Sequence, residues 1–177
     1  DATRAPRRAA LLREVARLEQ QSEQSPDDAD VLAALGSAQA RLGRRAEALA
    51  AYRRVISLQP RRPEAYLAYV DLLVEEPQRV HRGAAASVAS EHRDAVLALL
   101  QGGLSRLARD PHGHAQLTIA LAVYERALGK AQAARARLVA LDQPGAPADL
   151  TPAERRRVAE LLARLSTEEQ TRELLDW

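Results

Sequence analysis

Histidine is the residue type in this chain best suited to binding a metal ion or moving a proton near neutral pH. The chain of 177 residues has four, His81, His92, His112 and His114. The densest group is segment 110–114 (DPHGH), where two imidazoles and a carboxylate follow one another closely. A zinc site needs ligands at a recognisable spacing, and no such spacing places a further ligand for this segment. The pattern is instead typical of a polar turn between two helices.

Motifs that carry other kinds of chemistry are also missing from the sequence. There is no glycine-rich phosphate loop, no nucleophile elbow and no pair of carboxylates in an evident cleft. The chain has no cysteine, which excludes disulfides and thiolate metal ligands. The sequence therefore predicts a protein that is not an enzyme and that holds no cofactor and no metal.

The composition indicates the elements that such a chain must be built from. Hydrophobic residues make up 46%, charged residues 28% and aromatic residues only 3%, with no phenylalanine. Almost every segment consists of Ala, Leu, Arg, Glu and Gln, which are strong helix formers, and β-branched residues never alternate. No uncharged run approaches the ~20 apolar residues that a membrane span requires. We expect an all-α fold without strands.

Charge and chain ends bear on the partner class and the compartment. The net charge is +2, and the arginines alternate with acidic residues instead of forming one basic face, so we expect no nucleic-acid partner. Because the sequence contains no methionine, we expect it to be a piece of a longer protein, from which a signal peptide or membrane anchor can have been removed. The absence of cysteine does not choose a compartment.

Proline spacing reveals an internal repeat. Pro26 and Pro60 are 34 residues apart, and Pro111 and Pro144 are 33 apart. A period of 34 residues is that of the tetratricopeptide helix–turn–helix unit. The interval between Pro60 and Pro111 is longer, 51 residues, and we assign the excess to an insertion at 76–91, where small residues follow a weak pattern.

Segment 29–62 resembles a complete tetratricopeptide repeat. Gly36 and Ala48 stand where the two helices of the pair cross, where larger side chains would push the backbones apart. Gly43 ends the first helix and Pro60 follows the second. The resemblance implies an all-α, tetratricopeptide-like right-handed superhelix of antiparallel helix pairs, with capping helices at both ends.

This fold divides residues 1–177, taken as a single domain, into five parts. They are a leading helix at 5–24, repeat 1 at 29–62, repeat 2 at 63–110 with its insertion at 76–91, repeat 3 at 112–143, and C-terminal capping helices at 151–177. The last part begins with Thr151-Pro152-Ala153-Glu154, a capping box with proline at the first helical position.

In this family the first helix of each pair lines the concave side of the stack, which forms a groove for a peptide or a helix. The groove positions carried over from the family pattern are Ala33, Ser37, Ala40 and Arg41 in repeat 1, Leu67, Asp71 and Val74 in repeat 2, and Ile119, Val123 and Arg126 in repeat 3. Because these residues make a mildly apolar floor with charged edges, we expect a protein-protein interaction module that binds a peptide or helix of a partner protein.

From about Leu11 to Leu165, the order of parts also resembles the tetratricopeptide subunits of bacterial cytochrome c maturation. The residues that carry this resemblance are Leu18-Glu19, 26–30 (PDDAD), Leu35-Gly36, Ala48, 52–54 (YRR), 68–71 (AYVD) and 107–111 (LARDP). It implies a periplasmic chaperone domain, on a membrane-anchored parent, that binds the C-terminal segment of an apocytochrome c and presents it to the assembly machinery. Without that resemblance we expect a cytoplasmic protein.

A structural scaffold or self-assembly subunit is the alternative function. In that case the chain would contact a larger complex through its convex face or through the insertion at 76–91, since insertions in repeat proteins concentrate on functional faces. The sequence leaves the partner's identity and the oligomeric state open.

Overall fold

The computed structural model describes residues 4–74, 86–143 and 150–175. Its elements are α1 (Arg4–Gln24), α2 (Ala29–Arg41), α3 (Arg45–Leu58), α4 (Pro63–Val74), α5 (Ala86–Arg106), α6 (Pro111–Ala127), α7 (Ala131–Leu141) and α8 (Pro152–Leu175). Within the described ranges all regular structure is helical, and no helix there is long and apolar enough to cross a bilayer.

Contacts divide the chain into two compact units, Asp1–Leu72 and Leu73–Trp177. The single domain expected over 1–177 remains a prediction.

The first unit begins with an antiparallel pair in which α1 packs along α2. Val15 and Leu18 of α1 form a buried cluster with Leu35 and Ala38 of α2. The three-residue interval between Val15 and Leu18 puts both side chains on one stripe of the helix, as expected for an amphipathic element. Burying each such side chain contributes roughly 1.5–3 kcal/mol, so this cluster fixes α1 as part of the first unit.

The helical hairpin of α2 and α3 has well-defined ends. The Asp28 side chain caps α2 by accepting hydrogen bonds from the backbone N–H groups of Asp30 (3.0 Å) and Val31 (3.1 Å). Gly43 closes the turn with φ of +76°, in the left-handed region that glycine enters without a steric cost. Arg44 N–H donates to the carbonyl of Gln39 at 2.9 Å, which satisfies one of the last carbonyls of α2.

The hairpin of α6 and α7 in the second unit repeats this turn. Gly129 has φ of +76°, and Lys130 N–H donates to the carbonyl of Glu125 at 2.8 Å, as Arg44 does to Gln39. The two turns therefore match position by position, which makes Gly43 and Gly129 equivalent. Counting back from these glycines, Ala33 corresponds to Ile119, Ser37 to Val123 and Ala40 to Arg126.

Helix α8 packs against α6 and α7 in the second unit. Its start is the predicted capping box: Thr151 N–H donates to the Glu154 carboxylate at 2.8 Å, and Glu154 N–H donates to the Thr151 hydroxyl at 3.3 Å. The residues of the resulting buried cluster are Ala115, Ile119, Ala122, Ala134, Leu138, Leu141, Leu150, Val158, Leu161 and Leu165.

Two helices differ in extent from the sequence interpretation. The returning helix of repeat 2, which the assignment of 76–91 to an insertion placed after residue 91, begins at Ala86, because the alanines at the end of this segment are strong helix formers. The rest of the insertion, 76–85, lies outside the described residues. The C-terminal region was expected to hold more than one helix, but α8 is continuous to Leu175, since the Ser166 and Thr167 hydroxyls donate to carbonyls one turn back and act as helix-interior residues.

Candidate functional site

Helix α2 turns the four predicted repeat 1 positions away from its packed sides. Ser37 and Arg41 are exposed, and Ala33 and Ala40 are half-buried. The packed side of the same helix consists of Ala29, Leu32, Leu35, Gly36, Ala38 and Gln39. The α2 face (Ala33, Ser37, Ala40 and Arg41) is therefore a surface of small side chains with one arginine at its end.

Two contacts hold the polar members of the α2 face. Ser37 shares a hydrogen bond with the hydroxyl of Tyr52 on α3; burial raises the pKa of Tyr52, and this hydrogen bond opposes the rise. Arg41 lies 3.9 Å from the Glu14 carboxylate, and both side chains are largely in water, so the pair contributes little to stability. Ser37 thus has a fixed orientation, whereas Arg41 can turn toward an incoming anionic group.

Helix α4 presents its predicted positions in the same manner. Leu67 and Val74 are half-buried and Asp71 is exposed, while the opposite side of α4 buries Ala65, Tyr66, Tyr69 and Val70. We refer to Leu67 and Asp71 as the α4 face, because both belong to the first unit, whereas Val74 lies beyond the boundary at Leu72.

Tyrosines anchor α4. The hydroxyl of Tyr66 donates to the carbonyl of Pro60 at 3.1 Å and fixes the start of the helix on the preceding turn. Burial raises the pKa of Tyr69, against the opposing effect of the positive Arg53 nearby. Arg62, just before α4, also pairs with Asp30 of α2 at 2.6 Å. These contacts attach the part of α4 up to Leu72 to the first unit.

The repeat 3 positions differ from those in α2, because α8 packs against them. Ile119 is only 3% exposed and belongs to the buried cluster of the second unit, and Val123 packs against that cluster. The expectation that Ile119 lines an open groove needs correction: its side chain is a core residue. The physical reason is that α8 supplies Val158, Leu161 and Leu165 to the same cluster.

Arg126, the third of these positions, is paired with Glu168 of α8. Its Nε donates to both carboxylate oxygens, at 3.1 and 3.2 Å, and its terminal nitrogen donates to one of them as well. The hydrogen bond that Arg126 donates to Glu168 raises the pKa of Arg126, against a smaller opposing effect of burial. Sequence reasoning could not find this partner, since the two residues are 42 positions apart in the chain.

The histidines expected to lie in a turn are in the first turn of α6. Asp110 caps this helix by accepting a hydrogen bond from Gly113 N–H at 3.0 Å, which accounts for the aspartate of this polar segment. His112 Nδ1 lies 3.6 Å from Glu154 Oε1, and its Nε2 is hydrogen-bonded to Gln116 at 3.0 Å. No cluster of three or more potential metal ligands occurs in the part of the chain that the structure describes. The side chains of His81 and His92 lie outside it.

Glu154 belongs to both the α8 capping box and the contact with α6. Burial alone would raise the pKa of its carboxyl group. Hydrogen bonds from the Thr151 amide and hydroxyl and from Gln116, together with the charge of His112, hold this pKa below its ordinary value. Glu154 therefore joins the first turn of α8 to the first turn of α6.

A buried ion pair in the second unit was also absent from the sequence interpretation. Glu125 on α6 is 4% exposed, and Arg137 Nε on α7 donates to both of its carboxylate oxygens at 2.9 Å. The equivalent of Glu125 in the first hairpin is Gln39, whose Oε1 is buried without a hydrogen-bond partner. The sequence feature that could have indicated this pair is Glu125 itself, a charged residue on an otherwise apolar stripe of α6.

The comparisons with known proteins bear on the fold. Residues 29–72 match the family model for the tetratricopeptide repeat. A solved structure titled "MamA RS-1 ArsTM double mutant" is similar at 16% identity and a TM-score of 0.55, over 96% of this chain and 91% of that chain. A crystal structure of MamA is similar at 12% identity and a TM-score of 0.49, over 90% and 88%. No curated protein sequence matches the chain.

The repeat match and the first of these structures, together with the helices, define the fold class. The chain carries a tetratricopeptide repeat at 29–72, and the predicted all-α, tetratricopeptide-like fold class is confirmed. At 16% identity the likeness to the MamA double mutant shows the fold alone. The resemblance to cytochrome c maturation subunits finds no support in these matches and stays a hypothesis.

Proposed function

We propose that the chain is a protein-protein interaction module that binds a peptide or helix of a partner protein on the α2 face and the α4 face of its first unit. The observation that carries this proposal is that all six residues of these two faces are exposed or half-buried, although their helices are otherwise well packed. Small side chains allow a guest backbone to approach closely, and Leu67 offers apolar area.

The charges on these faces fit a guest of mixed character. Arg41 and Asp71 carry opposite charges, so the two faces together favour neither a strongly acidic nor a strongly basic ligand. Charged groups at the edge of an apolar surface contribute to orientation and association rate more than to affinity. An amphipathic helix or an extended tail matches this surface.

The test is affinity capture with the purified chain and two variants of equal charge. Leu67→Glu places a carboxylate on the α4 face, and Ala50→Glu places one on an exposed position of α3. We expect Leu67→Glu to lose the captured protein and Ala50→Glu to retain it. Equal capture by both variants would move the binding surface away from α4.

The C-terminal segment of an apocytochrome c is the first defined ligand to titrate, because it is the partner that the cytochrome maturation resemblance implies. The alternative is a scaffold or self-assembly role through the convex face or the segment 76–91. Deleting 76–85, the part of this segment that precedes α5, separates the two. In a scaffold that uses this segment, assembly is lost and peptide capture is kept. In a binding module that does not use it, both are unchanged.

A further inference from the structure

Equivalent positions in the two hairpins stand in different surroundings. In α2, Ala33 is half-buried and Ser37 is exposed. Their counterparts in α6, Ile119 and Val123, belong to or pack against a cluster that includes side chains of α8. In the second unit, helix α8 therefore occupies positions of the kind that the sequence analysis assigned to a bound peptide or helix.

Helix α8 meets α6 and α7 as an amphipathic ligand would. Val158, Leu161 and Leu165 are buried and fall on one helical stripe. The opposite side of α8 is exposed and polar, with Arg156, Arg157 and Arg164 among its residues. A helix that lays a single apolar stripe on a receiving surface is a recurring mode of peptide recognition.

Polar contacts hold α8 at two places. Near its start, Glu154 meets His112 of α6, and further along, Glu168 meets Arg126. In each pair one side chain is about half exposed (His112 52%, Glu168 47%) and its partner is less exposed (Glu154 14%, Arg126 30%). Ion pairs in contact with water add little to stability. The attachment of α8 therefore depends mainly on its apolar stripe. A separate helix with the same spacing of apolar residues can make the same contacts.

We propose that α8 is a displaceable cover and that the surface of α6 and α7 beneath it accepts a partner helix with the same spacing. The partner carries aliphatic residues at its positions 1, 4 and 8 and an acidic residue at position 11, as α8 does with Val158, Leu161, Leu165 and Glu168. This inference rests on the proposed function, because both require that the chain binds polypeptides. It adds a second binding surface, the one beneath α8, and the class of helix that fits it.

The test measures binding of a fluorescent peptide with the sequence of residues 152–171 to the full chain. Three forms of the chain are compared: the natural sequence, Glu168→Lys and Glu160→Lys. Glu168→Lys sets a cation against Arg126 and loosens the chain's own α8, whereas Glu160→Lys makes the same charge change at an exposed position of α8. Apparent affinity scales with the fraction of molecules in which the surface is open.

We expect the peptide to bind the Glu168→Lys chain about threefold to tenfold more tightly than either of the other two. A peptide carrying Leu161→Glu should not bind any of them. Equal affinities for all three chains, or no saturable binding to Glu168→Lys, would overturn the proposal.

The two proposals fail separately. The peptide measurement does not involve the α2 face or the α4 face, so it is also made on the Leu67→Glu chain, where peptide affinity should be unchanged. Loss of peptide binding in Leu67→Glu would contradict the assignment of the peptide to the surface of α6 and α7. Retained partner capture in Leu67→Glu would contradict the proposed function alone.

Discussion

The Tyr52 ring lies directly over Gly36, where the two helices of the first hairpin cross. A Cβ added at Gly36 would be 3.1 Å from Cε2 of Tyr52, closer than carbon atoms normally approach. Tyr52 cannot withdraw easily, since it is 8% exposed and its hydroxyl bonds with Ser37. The sequence analysis explained glycine at this position by the close approach of α2 and α3. The side chain that makes this approach close is Tyr52.

This relationship predicts that the effect of Gly36→Ala depends on Tyr52. In the natural chain, the helix-propensity gain of about 1 kcal/mol is offset by crowding against the ring, so stability should not increase. In a Tyr52→Leu background the ring is absent, and Gly36→Ala should stabilise the protein by up to about 1 kcal/mol. Urea denaturation of the four chains measures this coupling. A gain of equal size in both backgrounds would contradict the contact.

Leu67→Glu and Val123→Glu should differ in their effect on folding, although the sequence assigned both positions to a groove. Leu67 is on the α4 face, so its substitution should change the free energy of unfolding by less than about 0.5 kcal/mol. Val123 packs against the buried cluster of the second unit, so a carboxylate there should cost about 1–3 kcal/mol. Thermal melts followed by circular dichroism distinguish the two, with Leu35→Ala, expected to cost about 2–5 kcal/mol, as a reference for a buried truncation.

The pair of Glu125 and Arg137 predicts a third result. Arg137→Leu leaves the buried Glu125 carboxylate without its partner. Because Arg137 itself is partly exposed, we expect a loss of about 2 kcal/mol or more in the free energy of unfolding. Replacing both residues, in Glu125→Leu with Arg137→Leu, should recover most of the loss. Chemical denaturation of the single and double variants gives the comparison, and a double variant less stable than Arg137→Leu would contradict this account.

The lowered pKa of Glu154 predicts an acid-side loss of stability. Because its carboxyl group binds protons less readily when folded than when unfolded, it stabilises the protein above the unfolded-state pKa. That contribution is lost as the pH falls through the folded-state pKa. The free energy of unfolding should therefore fall more steeply below about pH 5 in the natural chain than in Glu154→Gln. Glu160→Gln, at an exposed position of α8, is the control and should follow the natural chain.

The sequence predicted the parts of the fold that depend on local rules. Gly43 marks the turn of the first hairpin, because a left-handed backbone conformation there favours glycine, and Thr151 with Glu154 forms the expected capping box. The start of α5 was missed, since the segment around Ala86 has helix-forming residues but almost no apolar period to reveal them.

The features of the candidate site that the sequence did not predict depend on contacts between residues far apart in the chain. Nothing near Ile119 indicates that α8 packs against it, because that contact depends on where Val158 and Leu161 are brought by a separate helix. The Arg126–Glu168 pair is equally non-local. By contrast, Ser37 and Arg41, which were carried over from the family pattern, are exposed on α2.

The most direct test of the proposed binding surface is hydrogen exchange of the full chain, measured by mass spectrometry with and without the captured partner or peptide ligand. We predict that bound partner slows exchange in peptides covering α2 and α4, with no change in those covering α3. Unchanged exchange in α2 and α4, with slowing confined to other helices, would contradict the assignment of the binding surface to the first unit.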